Sequence, residues 1–348
     1  MTVPQAFARQ AVACAALGSP LTAHLCRTLG DVLAPDQGRV ARRVLEWPGD
    51  AGPSGASVPL RLNGALHALV LTGRAPDLAA AYERGDPTAD LLLQSIAEHA
   101  DFIDGWLDSP PQTNEVGRSA AIIAALRFLR PALPLRVMEL GASAGLNLNW
   151  HRYHLVTSAD DKAPGDGVVL RPDWRGESAP APCAMRVNTS LGVDLRPVDA
   201  VADPLRLLAY CWPDQQDRMA RLRAALAVAA IHPPQVSAGD AGKWLTDQLA
   251  APAPMGTMRV VYHTVAWQYF PPDTADACEA AMQAAGRAGP LAHIAMEADN
   301  AGDGAALTLR LWSGTGGDPL RWSLGRADFH GRWIDWHPRP LRAGVAAR

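Results

Sequence analysis

The chain has 348 residues, of which 48% are apolar and 19% charged, with a formal net charge of -3. That is material for two compact units, or one elaborated α/β domain, and too little charge for a disordered chain. A near-neutral balance supplies no basic face for nucleic acid, so a small-molecule partner is expected instead.

Five cysteines occur, at 14, 26, 183, 211 and 278, with no C-x-x-C pair. An odd count without paired spacing argues against a disulfide framework or a zinc site, and fits a reducing cytoplasm. No apolar run approaches the roughly 20 residues of a membrane span. The stretch Ala11 to Leu17 reads as a short Ala-rich helix ending at Gly18-Ser-Pro20, in preference to a secretion leader.

The first ~130 residues read as helices with no convincing strand. One group covers 4–47, with Ser19-Pro20 as an N-cap and first-turn proline. A loop follows over 47–59, then helices over 59–73 and from Asp86-Pro87 to Leu107. After Ser109-Pro-Pro111 comes Gln112-Thr-Asn114-Glu115-Val-Gly-Arg118, opening a helix that runs to Pro131.

From 136 the pattern changes to short apolar runs alternating with helical segments, as in a parallel sheet with crossover helices. Strands are expected over 136–140, 185–193, 234–237, 259–264 and 291–297. Runs at 306–312 and 320–326 read as an antiparallel pair, and 331–336 as a further edge strand. Helices are expected from 145, over 203–230 with a kink at Pro213, and over 274–286. Residues 155–185 read as an irregular insertion. The expectation is an α/β protein: a helical cap over 1–131, and over 132–348 a Rossmann-like, seven-stranded sheet of the methyltransferase type.

Glu139-Leu-Gly141-Ala-Ser143-Ala-Gly145-Leu-Asn147 is the centre of the second region. Strand, glycine turn and helix bring backbone N–H groups to one point, suited to a nucleotide-like ligand. Three chemistries compete for it. Gly141-Ala-Ser143-Ala-Gly145 matches the G-x-S-x-G hydrolase elbow, with Asp240 and His293 as downstream partners, but no strands precede it and no oxyanion motif lies upstream. A dinucleotide site requires glycine at 143 and 146, where Ser143 and Leu146 stand. An S-adenosylmethionine site requires an acid, then G-x-G-x-G, then an acid closing the second strand. Glu139, Gly141, Gly145 and Asp194 meet that, with Ser143 in the middle position.

In that reading Glu139 meets the methionine ammonium through water, Asp194 the ribose hydroxyls and Asp240 the adenine amine, with Ser143, Asn147 and His263 beside the cofactor. Tyr269, Glu115 and His263 are candidates for acid–base work. Asn114, Arg118, Trp174, Trp267 and Gln268 are candidates for substrate contacts, and no metal is expected. Plainer roles stand beside these: a helix N-cap for Asp240, a core histidine for His263, and a salt bridge for Arg118.

Several strings are long enough to carry a family resemblance: 112–119, 139–147, Trp174-Arg-Gly176, Tyr210-Cys-Trp-Pro-Asp-Gln215, Tyr262-His-Thr-Val-Ala-Trp-Gln-Tyr269 and His330-Gly-Arg-Trp333. The chain resembles, over nearly its whole length, a bacterial family known as domain of unknown function 2332. The resemblance implies a methyltransferase-like fold and no particular reaction. The expected function is methyl transfer from S-adenosylmethionine to a small molecule. The alternatives are a non-catalytic S-adenosylmethionine- or nucleoside-binding module and, third, a serine hydrolase using Ser143.

Overall fold

The structure is a computed structural model and describes residues 1–158, 161–163, 165–251 and 255–341. In chain order, the helices α1 (Val3–Ala16), α2 (Pro20–Val32), α3 (Arg39–Leu45), α4 (Val58–Leu71), α5 (Pro76–Arg84), α6 (Ala89–Glu98), α7 (Ala100–Leu107) and α8 (Ser119–Leu129) come first. The strands β1 (Leu135–Leu140), β2 (His154–Leu155), β3 (Val169–Leu170), β4 (Asp173–Gly176) and β5 (Val187–Asp194) follow. Then come α9 (Pro204–Tyr210), α10 (Gln216–Ile231), β6 (Gln235–Ala238), α11 (Ala241–Ala250), β7 (Met258–Thr264), α12 (Pro272–Ala288), β8 (Leu291–Glu297), β9 (Ala305–Trp312), β10 (Leu320–Ala327) and β11 (Trp333–Leu341).

The chain forms two compact units, one of residues 1–113 with 203–223, the other of 114–202 with 224–348. In the first unit α4 is the central helix. Its residues Leu62, Leu66 and Leu69 are fully buried, and two of its polar side chains donate to neighbours in the same unit. Arg61 donates to the carbonyls of Ala56 and Leu107, and Asn63 to the Cys26 sulfur. A Cβ on Gly64 would lie 2.4 Å from the Tyr210 ring, so glycine is what lets α4 and α9 approach. Ser19 caps α2 by accepting from the Thr22 amide, and Thr88 caps α6 by accepting from the Leu91 amide. The single helix expected after Asp86-Pro87 is two, broken at His99, and α5 was not expected. All five cysteines are free.

The second unit is built on one sheet of nine strands, in the order β4-β11-β10-β9-β8-β7-β1-β5-β6. The seven strands expected are therefore corrected to nine. Strands β6, β5, β1, β7 and β8 are parallel, and β9, β10 and β11 continue as an antiparallel meander. The third strand of the meander, β11, is the one expected over 331–336, and it runs on to Leu341. The ninth strand, β4, comes from the segment read as irregular and pairs parallel to β11 at the far edge. Four mostly exposed residues carry no periodicity that would mark such a strand.

Alternation along β1 sorts the two faces. Met138 and Leu140 join Val261, Leu245, Met282 and Trp312 in a core under α11 and α12. Residue 139 points the other way. On that second face Phe128 of α8 meets the edges of Trp322 and Trp336, with centroids 6.1 and 6.0 Å apart. The segment after β1 is a 3-10 helix, Leu146–Arg152, and not the α-helix expected from 145. It lies across β5, where Ser190 donates to the Leu148 carbonyl and a Cβ on Gly192 would stand 2.7 Å from Ala142. Among the described residues, no helix is long and apolar enough to cross a membrane.

Candidate functional site

The chain leaves β1 toward β5 and β6 on one side, then returns to β7 and β8 on the other. Strand order thus reverses between β1 and β7, and open parallel sheets bind ligands outside the carboxyl ends of the strands at such a point. Two tight turns stand there. The turn after β1 has Gly141, Ser143 and Gly145 in the left-handed region, at φ 70°, 53° and 72°. The turn after β7 has Val265 at φ 55°. A β-branched residue in that region is an outlier, and such strain costs about 1–3 kcal/mol per position. The two turns touch, because a Cβ on Gly141 would lie 2.5 Å from that of Ala266.

The β1 turn is tied down from three directions. The amides of Gly141 and Ala142 donate to the Val193 carbonyl. Ser143 donates its amide to Asp194 Oδ2 at 2.8 Å, and Leu146 donates to Asn114 Oδ1 at 2.7 Å. Gly145 and Leu148 donate within the turn. The turn is therefore not an open cradle for an anion, as its letters suggest.

Asn114 belongs to a strap that crosses the turn. Asn147 donates to the Glu115 carbonyl at 3.3 Å, and Ser119 donates to Asn147 Oδ1 at 2.7 Å. Glu115, itself buried, accepts from the Gly117 amide. Arg118 donates through Nε to the Phe329 carbonyl and through Nη1 to that of Thr264, both at 2.9 Å, joining the end of β7 to the β10–β11 loop. That loop is braced by buried Asp328, whose carboxylate accepts from the Arg332 guanidinium and from the His330 and Arg332 amides. Gly331, at φ 71°, would place a Cβ 2.5 Å from the Gly117 backbone. Strings 112–119 and 330–333 are thus two sides of one backbone contact.

Glu139 is 1% exposed, in register with Tyr262 on β7. The Tyr262 oxygen lies 2.9 Å from the Asn147 carbonyl and 3.1 Å from Glu139 Oε2. A hydroxyl has one hydrogen and cannot serve both acceptors. A protonated Glu139 resolves this by donating to the tyrosine oxygen. Burial pushes the Glu139 carboxyl up to about 8, against the partial relief of the Tyr262 bond, so both lines agree.

His263 lies on the opposite face, stacked on Trp267 with centroids 4.7 Å apart. Its Nδ1 is 2.7 Å from Glu297 Oε1, and its Nε2 is 2.9 Å from His293 Nε2. His293 Nδ1 accepts from Arg310, whose guanidinium also donates to both oxygens of Glu279 at 2.7 and 2.8 Å. Arginine only donates, which fixes every other hydrogen. His293 carries its hydrogen on Nε2 and gives it to His263 Nε2, and His263 Nδ1 donates to Glu297. Burial, then the Arg310 charge, hold the His293 imidazole well below its usual pKa. Burial alone would raise Glu297. The bond from His263 and the amides of Ala266 and Trp267 outweigh it and hold the carboxyl below its ordinary value. Ala295, opposite His263 in register, leaves the room in which the ring spans from His293 to Glu297.

Of the residues expected at the site, Asn114, Glu115, Arg118, Glu139, Gly141, Ser143, Gly145, Asn147 and Asp194 come together around the β1 turn. Asp240 caps α11, accepting from the Lys243 amide at 2.9 Å and from Thr274 Oγ1 at 2.5 Å. Both ring nitrogens of His263 are engaged and the ring faces the core under α12. Trp267 is half-buried, while Gln268 and Tyr269 are exposed on a 3-10 turn. Trp174 sits on β4, six strands from β1 in the sheet order, and packs on Trp336. No group of three or more metal-ligating side chains occurs among the described residues.

Glu297, Arg310, Glu279 and Tyr262 were not read as site residues. Glu297 carried a usable signal, since it closes a strand as Asp194 does. The partnership of Arg310 with His293 required the register of β8 against β9.

No curated protein matches the chain. Residues 4–336 match the family described as an uncharacterized protein conserved in bacteria, DUF2332. With nearly the whole chain covered, the protein belongs to that family.

Proposed function

We propose that the second unit binds S-adenosylmethionine at the carboxyl ends of β1 and β5 and transfers its methyl group to a small molecule. The supporting observation is the character of the β1 turn. It lies at the reversal of strand order, as a nucleoside site of a methyltransferase-type sheet does. Yet most of its amides are taken by Asp194, Asn114 and backbone carbonyls. The Asp194 carboxylate accepts from it, and the buried carboxyl of Glu139 lies behind it. That environment opposes the pyrophosphate of a dinucleotide and suits a nucleoside without phosphate that carries an ammonium and a sulfonium.

The donor set fits. Asp194 is half-buried and each of its oxygens accepts one backbone amide, from Ser143 and from Arg196. Each oxygen keeps a second lone pair, enough for two ribose hydroxyls. Glu139, behind Asn147, is placed to lose its proton when an ammonium approaches. Asp240 is committed to α11 and Thr274, and the adenine role weakens accordingly. When bound, S-adenosylmethionine supplies a methyl group on a sulfonium leaving group. The protein aligns the nucleophile and excludes water. Arg118 and the strap 114–119 hold the two turns together, so that the β7 turn faces the β1 turn at a fixed separation.

A binding module without turnover has one observation in its favour. His263, the residue read as a base, has no free ring nitrogen. The elbow chemistry loses its partners for a related reason. His293 is held between Arg310 and His263, and Asp240 is an N-cap.

Isothermal titration of the full chain with S-adenosylmethionine tests the proposal, with NAD as the control. Binding of the first without the second is expected. Absence of heat together with absence of a thermal shift refutes it. Labelled methyl transfer across a small-molecule library separates enzyme from module, and labelling of Ser143 by a fluorophosphonate would reinstate the elbow.

A further inference from the structure

At the amino ends of the same strands lies a feature with no part in the proposal above. Arg136 of β1 and Arg259 of β7 are register partners on adjacent strands in the middle of the sheet. Registered neighbours share a face, and like charges in that relation repel. Arg259 is 3% exposed. Its Nη2 donates to the Ala285 carbonyl near the end of α12 at 2.5 Å, while its Nε, equally buried, has no acceptor. Arg136 donates to Gln248 Oε1 at 2.7 Å. Among the described residues neither arginine has a carboxylate within ion-pair distance. A buried charge without a partner is costly, and such groups are found paired. Burial, then the charge of Arg136, press the Arg259 guanidinium below its ordinary value.

Arg259 lines a groove of about 690 Å³. Its other walls are mainly apolar, with Leu249 from α11, Ala281, Ala284 and Ala285 from α12, and the exposed Met255. That volume falls in the range of small-molecule sites, about 300–1,000 Å³, where an apolar lining with one polar anchor fixes orientation. The α12 carbonyl accounts for one of the five N–H groups of Arg259, so capping the helix leaves most of the guanidinium unexplained.

We infer that this groove is a second ligand site, for a carboxylate with a short apolar tail: the carboxylate meets Arg259 and the tail lies on the alanine face of α12. It lies at the opposite end of the strands from the nucleoside site and stands whether or not that site binds S-adenosylmethionine.

The test is titration of the full chain with octanoate, octan-1-ol and octylammonium. Octanoate is expected to bind more tightly than octan-1-ol by about tenfold or more, and octylammonium not at all. Arg259→Met should remove that advantage while leaving octan-1-ol binding as it was. Should Arg259→Met not fold, Ala284→Trp serves: at an exposed position, it fills the groove and blocks both octanoate and octan-1-ol. The inference is overturned if octanoate does not bind, if octanoate and octan-1-ol bind alike, or if Ala284→Trp leaves octanoate binding unchanged.

Discussion

Replacing Glu139 by glutamine tests the central feature of the site. The side chain is 1% exposed and its carboxyl is raised from 4.5 to about 8, first by burial. Between those two values the folded protein holds a proton that the unfolded chain has lost. The stability contributed by this group is therefore lost as pH rises from about 4.5 to about 8, and the loss levels off above it. The full shift corresponds to a ceiling of about 5 kcal/mol, at about 1.4 kcal/mol per pH unit. Relaxation around the charged form makes about 2–4 kcal/mol between pH 5 and pH 8 the working figure. Glutamine has the same shape, can donate to the Tyr262 oxygen as the protonated acid does, and does not titrate. Urea unfolding should then show Glu139→Gln close to the parent at pH 5, with the variant ahead by about 2–4 kcal/mol at pH 8. In melting temperature the gap is roughly 2–4 °C per kcal/mol for a unit of this size. A gap that is the same at both pH values refutes the buried, protonated carboxyl. If a ligand ammonium docks on Glu139, binding near pH 7 releases its proton. The titration heat will then vary with the ionisation enthalpy of the buffer, and a buffer-independent heat removes Glu139 from the ligand.

Other consequences can be measured in the same way. Asp194→Ala should weaken S-adenosylmethionine by about tenfold or more and destabilise the β1 turn by about 1–3 kcal/mol, since the Ser143 amide loses its acceptor. Unchanged affinity excludes the ribose role. Gly331→Ala places a methyl against the Gly117 backbone at positive φ and should cost about 2–4 kcal/mol in chemical denaturation; a loss below 0.5 kcal/mol, roughly the noise of neutral surface changes, contradicts the contact. Below pH 6.5 the slope set by Glu139 should reverse. His67 and His151, each lowered to about 4 by burial, and His293, held well below its ordinary value, stay neutral in the fold while the unfolded chain takes up protons. Stability is then lost as pH falls from about 6.5 toward 4, giving an optimum near pH 7, and His293→Phe should flatten the acid limb. Val265→Gly relieves strain at φ 55° and should be neutral or stabilising in thermal unfolding. A loss above about 2 kcal/mol shows that Val265 is packed in place and not strained.

Local chemistry made much of the fold legible. Four of the five parallel strands end in or just before Gly or an acid, β7 being the exception, and all five were placed to within two residues. Proline and N-cap signals marked α2 and the break after α7. The β1 turn was legible because Gly141 and Gly145 are there for backbone reasons that show in their letters. What the sequence left undecided depends on pairing across distance. A short exposed segment such as β4 becomes a strand only because the edge of β11 accepts it. Ser143 stands where φ is positive, a fact that G-x-S-x-G shares between an elbow and a nucleoside turn.

Asp240 could be named as an acid at a strand end, but Thr274 and the α11 amide decide that it is a cap. His263 could be named as a base, but the register of β7, β8 and β9 sets it between Glu297 and His293 and uses both nitrogens. The sequence by itself determined most of the strand ends and the place of the turn. The tertiary structure decided which carboxylates and imidazoles remain available, because hydrogen-bond valence is a property of neighbours that are 28 to 211 residues away in the chain.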